Sequence, residues 1–80
     1  MYYVYIIKST IQENFYVGFT NLKVEERLQT HNAGGSVYTK DYKPWILVMY
    51  SCFVDKLKAL EYEKYLKSHS GRAFMQKRLV

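Results

Sequence analysis

Five side chains stand out for what their types and spacing could do. Tyr5 and Tyr16 occupy matching ends of two short alternating runs. A phenol in such a place can accept a proton if a neighbouring positive charge or metal lowers its pKa from about 10, although aromatic residues are also simply good strand formers. Arg27 and His31 are four residues apart, one helical turn, so they can address one ligand with a planar fork of donors and a ring that titrates near neutrality. The alternative for that pair is a solvated arginine beside a histidine that favours a helix C-terminus. Glu63 falls at the middle of a helical arc carrying Ala59, Leu60 and Leu66, whereas Glu61 falls on the far side near Leu57 and Tyr65. A carboxylate centred on an apolar stripe needs compensation, either a metal ion or a lysine or arginine at the edge of the core.

The elements that must position these groups are readable in order. Residues 2–20 alternate Tyr3, Tyr5 and Ile7 against Tyr2, Val4 and Ile6, then Tyr16, Gly18 and Thr20 against Phe15, Val17 and Phe19. That period of two predicts two strands, and the polar stretch 9–14 between them predicts an antiparallel hairpin that brings Tyr5 and Tyr16 together. Residues 21–32 predict a helix capped by Asn21 and stopped by Asn-Ala-Gly-Gly, with Leu22, Val24 and Leu28 on its buried side. Residues 34–43 form a turn-rich basic loop in which Lys40 and Lys43 mix with Tyr38 and Tyr42, a combination suited to phosphates and unstacked bases but equally to a solvated loop. Pro44 ends the loop, and residues 45–53 read as a third strand, apolar enough to predict a central or doubly covered position. Asp55 caps a predicted helix running to about Ser68. A break at Ser70 or Gly71 then precedes a last helix over 72–79, with Phe74, Met75 and Leu79 for packing and Arg72, Lys77 and Arg78 for phosphate contacts.

Composition narrows the functional class. Eighty residues make one domain, 1–80, small enough to bury only about 60% of its unfolded surface. A net charge of +5 suits a polyanionic partner. Cys52 is the single cysteine, which excludes an intramolecular disulfide and a cysteine-based zinc site and suggests a reducing cytoplasm. Lys8 interrupts the N-terminal apolar run, and no segment has the roughly 18 apolar residues of a membrane span.

Together these residues resemble the GIY-YIG nuclease domain, in its small single-domain bacterial branch. The first motif reads Tyr3-Val4-Tyr5 and the second Tyr16-Val17-Gly18, with ten residues between Tyr5 and Tyr16. Arg27-Leu28-Gln29-Thr30-His31-Asn32 resembles the arginine-bearing helix, Pro44-Trp45 precedes the third strand as in the family, and the segment 59–67 resembles the helix with the metal-binding glutamate, in register at Glu63. Tyr3 stands in place of the motif's leading glycine, and a late asparagine of several relatives has no counterpart after Ser68.

The resemblance implies an α+β (α/β) fold, a three-stranded antiparallel sheet flanked by helices in the order β-β-α-β-α-α. It also implies a metal-dependent endonuclease acting on DNA, branched or single-stranded, in repair or recombination, similar to the UvrC N-terminal and SLX-type nuclease domains. Glu63 would hold one divalent cation, Mg²⁺ or Mn²⁺, and Arg27 would neutralise the phosphoryl charge. Tyr5 would accept the proton of the attacking water, Tyr16 would orient water or phosphate, and His31 would orient Tyr5 or share the base role. Lys8, Tyr38, Lys40, Lys43, Lys67 and Arg72 are the expected nucleic-acid contacts. The rivals are a binding module that does not cut and a subunit needing a partner protein or a second copy.

Overall fold

A computed structural model describes all 80 residues. Strands β1 (Tyr2–Ser9) and β2 (Phe15–Thr20) form the expected hairpin, in the antiparallel register that sets Tyr5 opposite Gly18 and Ile7 opposite Tyr16. Helix α1 (Val24–Asn32), a short 3₁₀ turn at Lys40–Tyr42, strand β3 (Trp45–Phe53) and helices α2 (Lys56–Lys67) and α3 (His69–Arg78) follow. The element order and the antiparallel sheet are those expected.

Alternation in β1 sorts the core into two clusters. Val4 and Ile6 pack with Val17, Ala59, Leu66 and Met75, beneath α2 and α3. Tyr5 and Ile7 pack with Val24 and Trp45, beneath α1. A helical layer therefore lies on each face of the sheet, and the tyrosine face is the α1 face.

The sheet order is β2-β1-β3, so β1 is the central strand and β3 is an edge. This corrects the reading of β3 as central, while its side chains do pack on both faces. Residues 4–7 of β1 are at most 1% exposed on both faces, whereas Ile46 and Tyr50 of β3 are about half in water at 52% and 48%. An apolar run signals burial of a strand's faces, not the pairing of its edges. In β3 Trp45 and Leu47 pack toward one cluster and Val48, Met49 and Phe53 toward the other, with no charged residue to mark the free edge.

Two helix starts also differ from expectation. Asn21 does not cap α1: Thr20 Oγ1 accepts the N–H of Leu22 at 3.0 Å, which holds the chain in a local turn until Lys23. Leu22 consequently lies outside the helix and is exposed, while Val24 is buried. Asp55 caps α2 as expected, accepting from Leu57 and Lys58 N–H. Helix α3 starts at His69, ahead of the expected break, because Ser68 caps it through a bond from Gly71 N–H at 3.1 Å. Gly71 lies within the helix and serves close packing: a Cβ there would stand 1.6 Å from the Tyr65 carbonyl oxygen. Gly71→Ala is therefore expected to force α3 off α2 and lower stability by about 2–3 kcal/mol, read as a lower denaturant midpoint.

Candidate active site

Tyr5 projects from the central strand toward α1, and its ring lies over β2 at Gly18. A Cβ on Gly18 would fall 2.3 Å from both Tyr5 Cζ and Oη, so the second motif ends in glycine to admit this ring. The Tyr5 hydroxyl is 2.7 Å from His31 Nε2, a buried hydrogen bond between β1 and the last turn of α1. Tyr16 meets the same imidazole, with ring centroids 5.2 Å apart against 5.8 Å for Tyr5 and His31. His31 thus sits between the two tyrosines and is wholly buried.

Helix α2 reaches this cluster around the free edge of β2. Lys67 Nζ is 5.6 Å from the Tyr16 ring centroid and 3.1 Å from Glu63 Oε2. The Glu63 side chain is 20% exposed and that of Glu61 is 62% exposed, so the helical arc separates the two glutamates as read from sequence. Contacts therefore run from Glu63 through Lys67, Tyr16 and His31 to Tyr5, joining residues of β1, β2, α1 and α2. One signal missed in the sequence is Thr39, whose Oγ1 lies 2.7 Å from His31 Nδ1 in the buried interior.

The electrostatics favour neutral groups at the centre. Burial pushes the Tyr5 phenol above its usual 10.0, and the charges of Tyr16 and Glu63 add to the rise. Arg27, half-buried one turn before His31, opposes it through its charge and a loose hydrogen-bonding approach; the well-formed bond of Tyr5 is the one to His31. Burial, then the Arg27 charge, hold His31 below its usual 6.5. The folded protein thus takes up this proton later than the unfolded chain, and stability falls as pH drops through the unfolded value. Urea midpoints are expected to decline between about pH 7 and pH 5.5, with the His31 contribution at most about 1.4 kcal/mol per pH unit. His31→Gln should flatten this decline.

The remaining expected contacts are more scattered. Arg72 reaches the Lys67 carbonyl with Nε at 3.4 Å and, with Lys67 and Tyr16, lines an open groove of about 430 Å³ between β2 and the α2–α3 pair. Tyr38, Lys40 and Lys43 are exposed on the loop that carries Thr39. Lys8 lies at the far end of β1, 3.8 Å from Glu13 and 5.7 Å from the Phe15 ring centroid. In the sheet register it lies opposite Phe15 and Ile46, one pair beyond Ile7 and Tyr16.

The carboxylate that a cation could meet at this cluster is that of Glu63. Glu63 is a half-buried carboxylate already facing one positive charge, the Lys67 ammonium. No group of three or more His, Cys, Asp or Glu side chains could cage an ion. One carboxylate with retained waters is the usual anchor for Mg²⁺. No helix is long and apolar enough to cross a membrane.

Comparison with known proteins agrees with this fold. The family model described as the GIY-YIG catalytic domain matches residues 1–78. The UPF0213 protein SH2523 of Staphylococcus haemolyticus is 41% identical over 70 residues, covering 86% of this chain and 83% of that protein. The UPF0213 protein HQ_3675A of Haloquadratum walsbyi is 40% identical over 70 residues, covering 86% and 76%. Among solved structures, the solution NMR structure of the UPF0213 protein BH0048 from Bacillus halodurans matches with a TM-score of 0.56 and 30% identity, over 96% of this chain and 84% of that one. With both motifs on the hairpin, the arginine helix against it and the fold in common, the chain belongs to the GIY-YIG catalytic domain family.

Proposed function

We propose that this domain is a metal-dependent endonuclease that hydrolyses DNA phosphodiester bonds, in DNA repair or recombination. The observation that carries this reading is the joining of Tyr5, Tyr16, His31 and Glu63 from four elements into one cluster, with Arg27 acting on its centre. Glu63 is the residue that would hold Mg²⁺ or Mn²⁺, and a cation there supplies charge neutralisation and a more acidic water.

The chain's own groups supply the rest. Arg27 offers its planar fork to the phosphoryl oxygens, where negative charge grows during attack. Tyr5 accepts the proton of the attacking water once its own proton has passed to solvent water, and the Arg27 charge beside it lowers the cost of that phenolate. His31, hydrogen-bonded to the Tyr5 hydroxyl at 2.7 Å, orients it or shares the base role. Tyr16 orients the water or the phosphate. Lys67 and Arg72 line the adjoining groove, where they can hold the flanking phosphates, and Lys8, Tyr38, Lys40 and Lys43 extend the contact surface.

The Lys67 to Glu63 ion pair supports one second reading, a module that binds nucleic acid without cutting, because it keeps the carboxylate occupied. A nicking assay on branched, single-stranded and duplex DNA at low salt distinguishes the two. Cleavage that appears with Mg²⁺ or Mn²⁺ and disappears with chelator is the expected result. Salt-sensitive binding with no cleavage of any of the three would leave the binding module as the function.

A further inference from the structure

The groove between β2 and the α2–α3 pair adjoins the tyrosine cluster, because Tyr16 and Lys67 belong to both. Its floor is apolar: Val17, Leu66 and Met75 are core residues that reach it, and the half-buried Phe15 adds an aromatic ring. Phosphate alone needs no such floor. Phosphates are held by charge and hydrogen bonds, whereas apolar side chains beside a few polar groups suit a ligand that also has an apolar face.

The charges of the groove are set to one side. Lys67 and Arg72 are its only cations, and both flank the α2–α3 junction, with Arg72 Nε at 3.4 Å from the Lys67 carbonyl. Lys67 is engaged by Glu63, but Arg72 forms no ion pair, so its remaining guanidinium donors are open to an anion. Away from the junction the lining turns to amides. Asn14 lies two residues before Tyr16 on the β2 side, and Gln76 lies one turn beyond Arg72 on the same face of α3. Amides carry both donors and acceptors, which is what the polar edge of a base requires.

At about 430 Å³ the groove has the size of a small-ligand cleft. A base can lay its face on such a floor only after leaving its stack. β2 is also a sheet edge, which an extended peptide could lengthen, but the two cations and the shared Tyr16 favour an anionic ligand that continues into the tyrosine cluster.

We propose that this groove is a nucleotide subsite: the base of a nucleotide flanking the scissile phosphate lies on the apolar floor, its edge toward Asn14 and Gln76 and its phosphate on Arg72 and Lys67. Its use in cleavage rests on the nuclease reading, whereas the binding is a property of the free protein.

Thymidine 3′,5′-diphosphate, titrated with chelator present and followed by the methyl NMR signals of Val17, Leu66 and Met75, tests the subsite without cleavage. It is expected to shift all three and to bind about tenfold or more tighter than inorganic phosphate. Arg72→Gln, at an exposed position, is expected to weaken the nucleotide about tenfold. Phe15→Leu should weaken it about fivefold while inorganic phosphate stays within about twofold, with the other methyl signals reporting that the variant is folded. A nucleotide that binds no tighter than phosphate, or leaves the groove methyls unmoved, would overturn the proposal. Unchanged affinity in Arg72→Gln would do the same, as would an extended peptide that moves these methyls where the nucleotide does not. A nucleotide seated in the groove of a protein that cuts no DNA with Mg²⁺ or Mn²⁺ would remove the nuclease reading and leave the subsite standing. Cleavage by a protein whose groove takes no nucleotide would do the reverse.

Discussion

Glu63→Ala is expected to reduce metal-dependent DNA cleavage by about a thousandfold or more, while Glu61→Ala cleaves within about twofold of the parent. The two glutamates are two residues apart on α2, carry the same charge and share the same helix propensity, so the pair isolates position. Glu63 is turned toward Lys67 and the Tyr16 ring, and Glu61 toward solvent and Lys58 at 3.8 Å. Loss of the Glu63 to Lys67 pair should itself cost stability by only a few tenths of a kcal/mol, the usual worth of an i,i+4 pair on a helix. A large fall in cleavage with an unchanged denaturant midpoint therefore assigns Glu63 to the reaction. Equal loss in both variants would assign the effect to the helix or to general charge and would remove Glu63 as the cation's anchor. Added Mn²⁺ gives a further check, since a weakened anchor is partly rescued by more metal, whereas a distorted helix is not.

The features legible in the sequence share one property: each is written in local periodicity. Alternation gave both faces of β1 and β2, and the 100° step of α2 distinguished Glu63 from Glu61 before any coordinates. Asp55 was readable as a cap because its partners lie two and three residues ahead. What was not legible depends on partners far along the chain. The edge position of β3 is decided by which strand β1 accepts on its second side, and an apolar run looks the same in the middle of a sheet as at its rim. Gly71 reads as a breaker because its close approach to the Tyr65 carbonyl exists only once α3 folds back on α2. Thr39 gave no signal, since a threonine in a loop has no pattern that announces a buried bond to a histidine eight residues earlier. Lys67, read as a DNA contact, also meets Tyr16, a partner far along the chain that its own helix does not announce.

Tyr5→Phe is expected to remove cleavage while DNA binding stays within about twofold, because the substitution deletes one hydroxyl and leaves the ring in its packed position. Removing that oxygen also leaves His31 Nε2 without its partner at 2.7 Å, so the variant should lose about 1–2 kcal/mol of stability. That loss is too small to unfold the protein and separable from activity by assaying well below the midpoint. Gly18→Ala tests the same oxygen from the opposite side, since it retains every functional group and moves one. The added methyl would stand 2.3 Å from Tyr5 Cζ and Oη and must push the ring end away from β2. Backbone on β2 cannot yield without breaking the register that pairs Tyr5 with Gly18, so the ring moves and the hydroxyl leaves its line with His31. Cleavage in Gly18→Ala is therefore expected to fall on the order of a hundredfold, as misplacement by about 1 Å does in general. If Tyr5→Phe cuts at the parent rate, Tyr5 is not the base, and His31, its hydrogen-bond partner, is next in line. If Tyr5→Phe is inactive but Gly18→Ala is fully active, the phenol acts through its proton alone and its position over β2 is immaterial. Loss in both makes the glycine of the second motif part of the catalytic geometry: it is the gap in β2 that lets a central-strand tyrosine reach the phosphate.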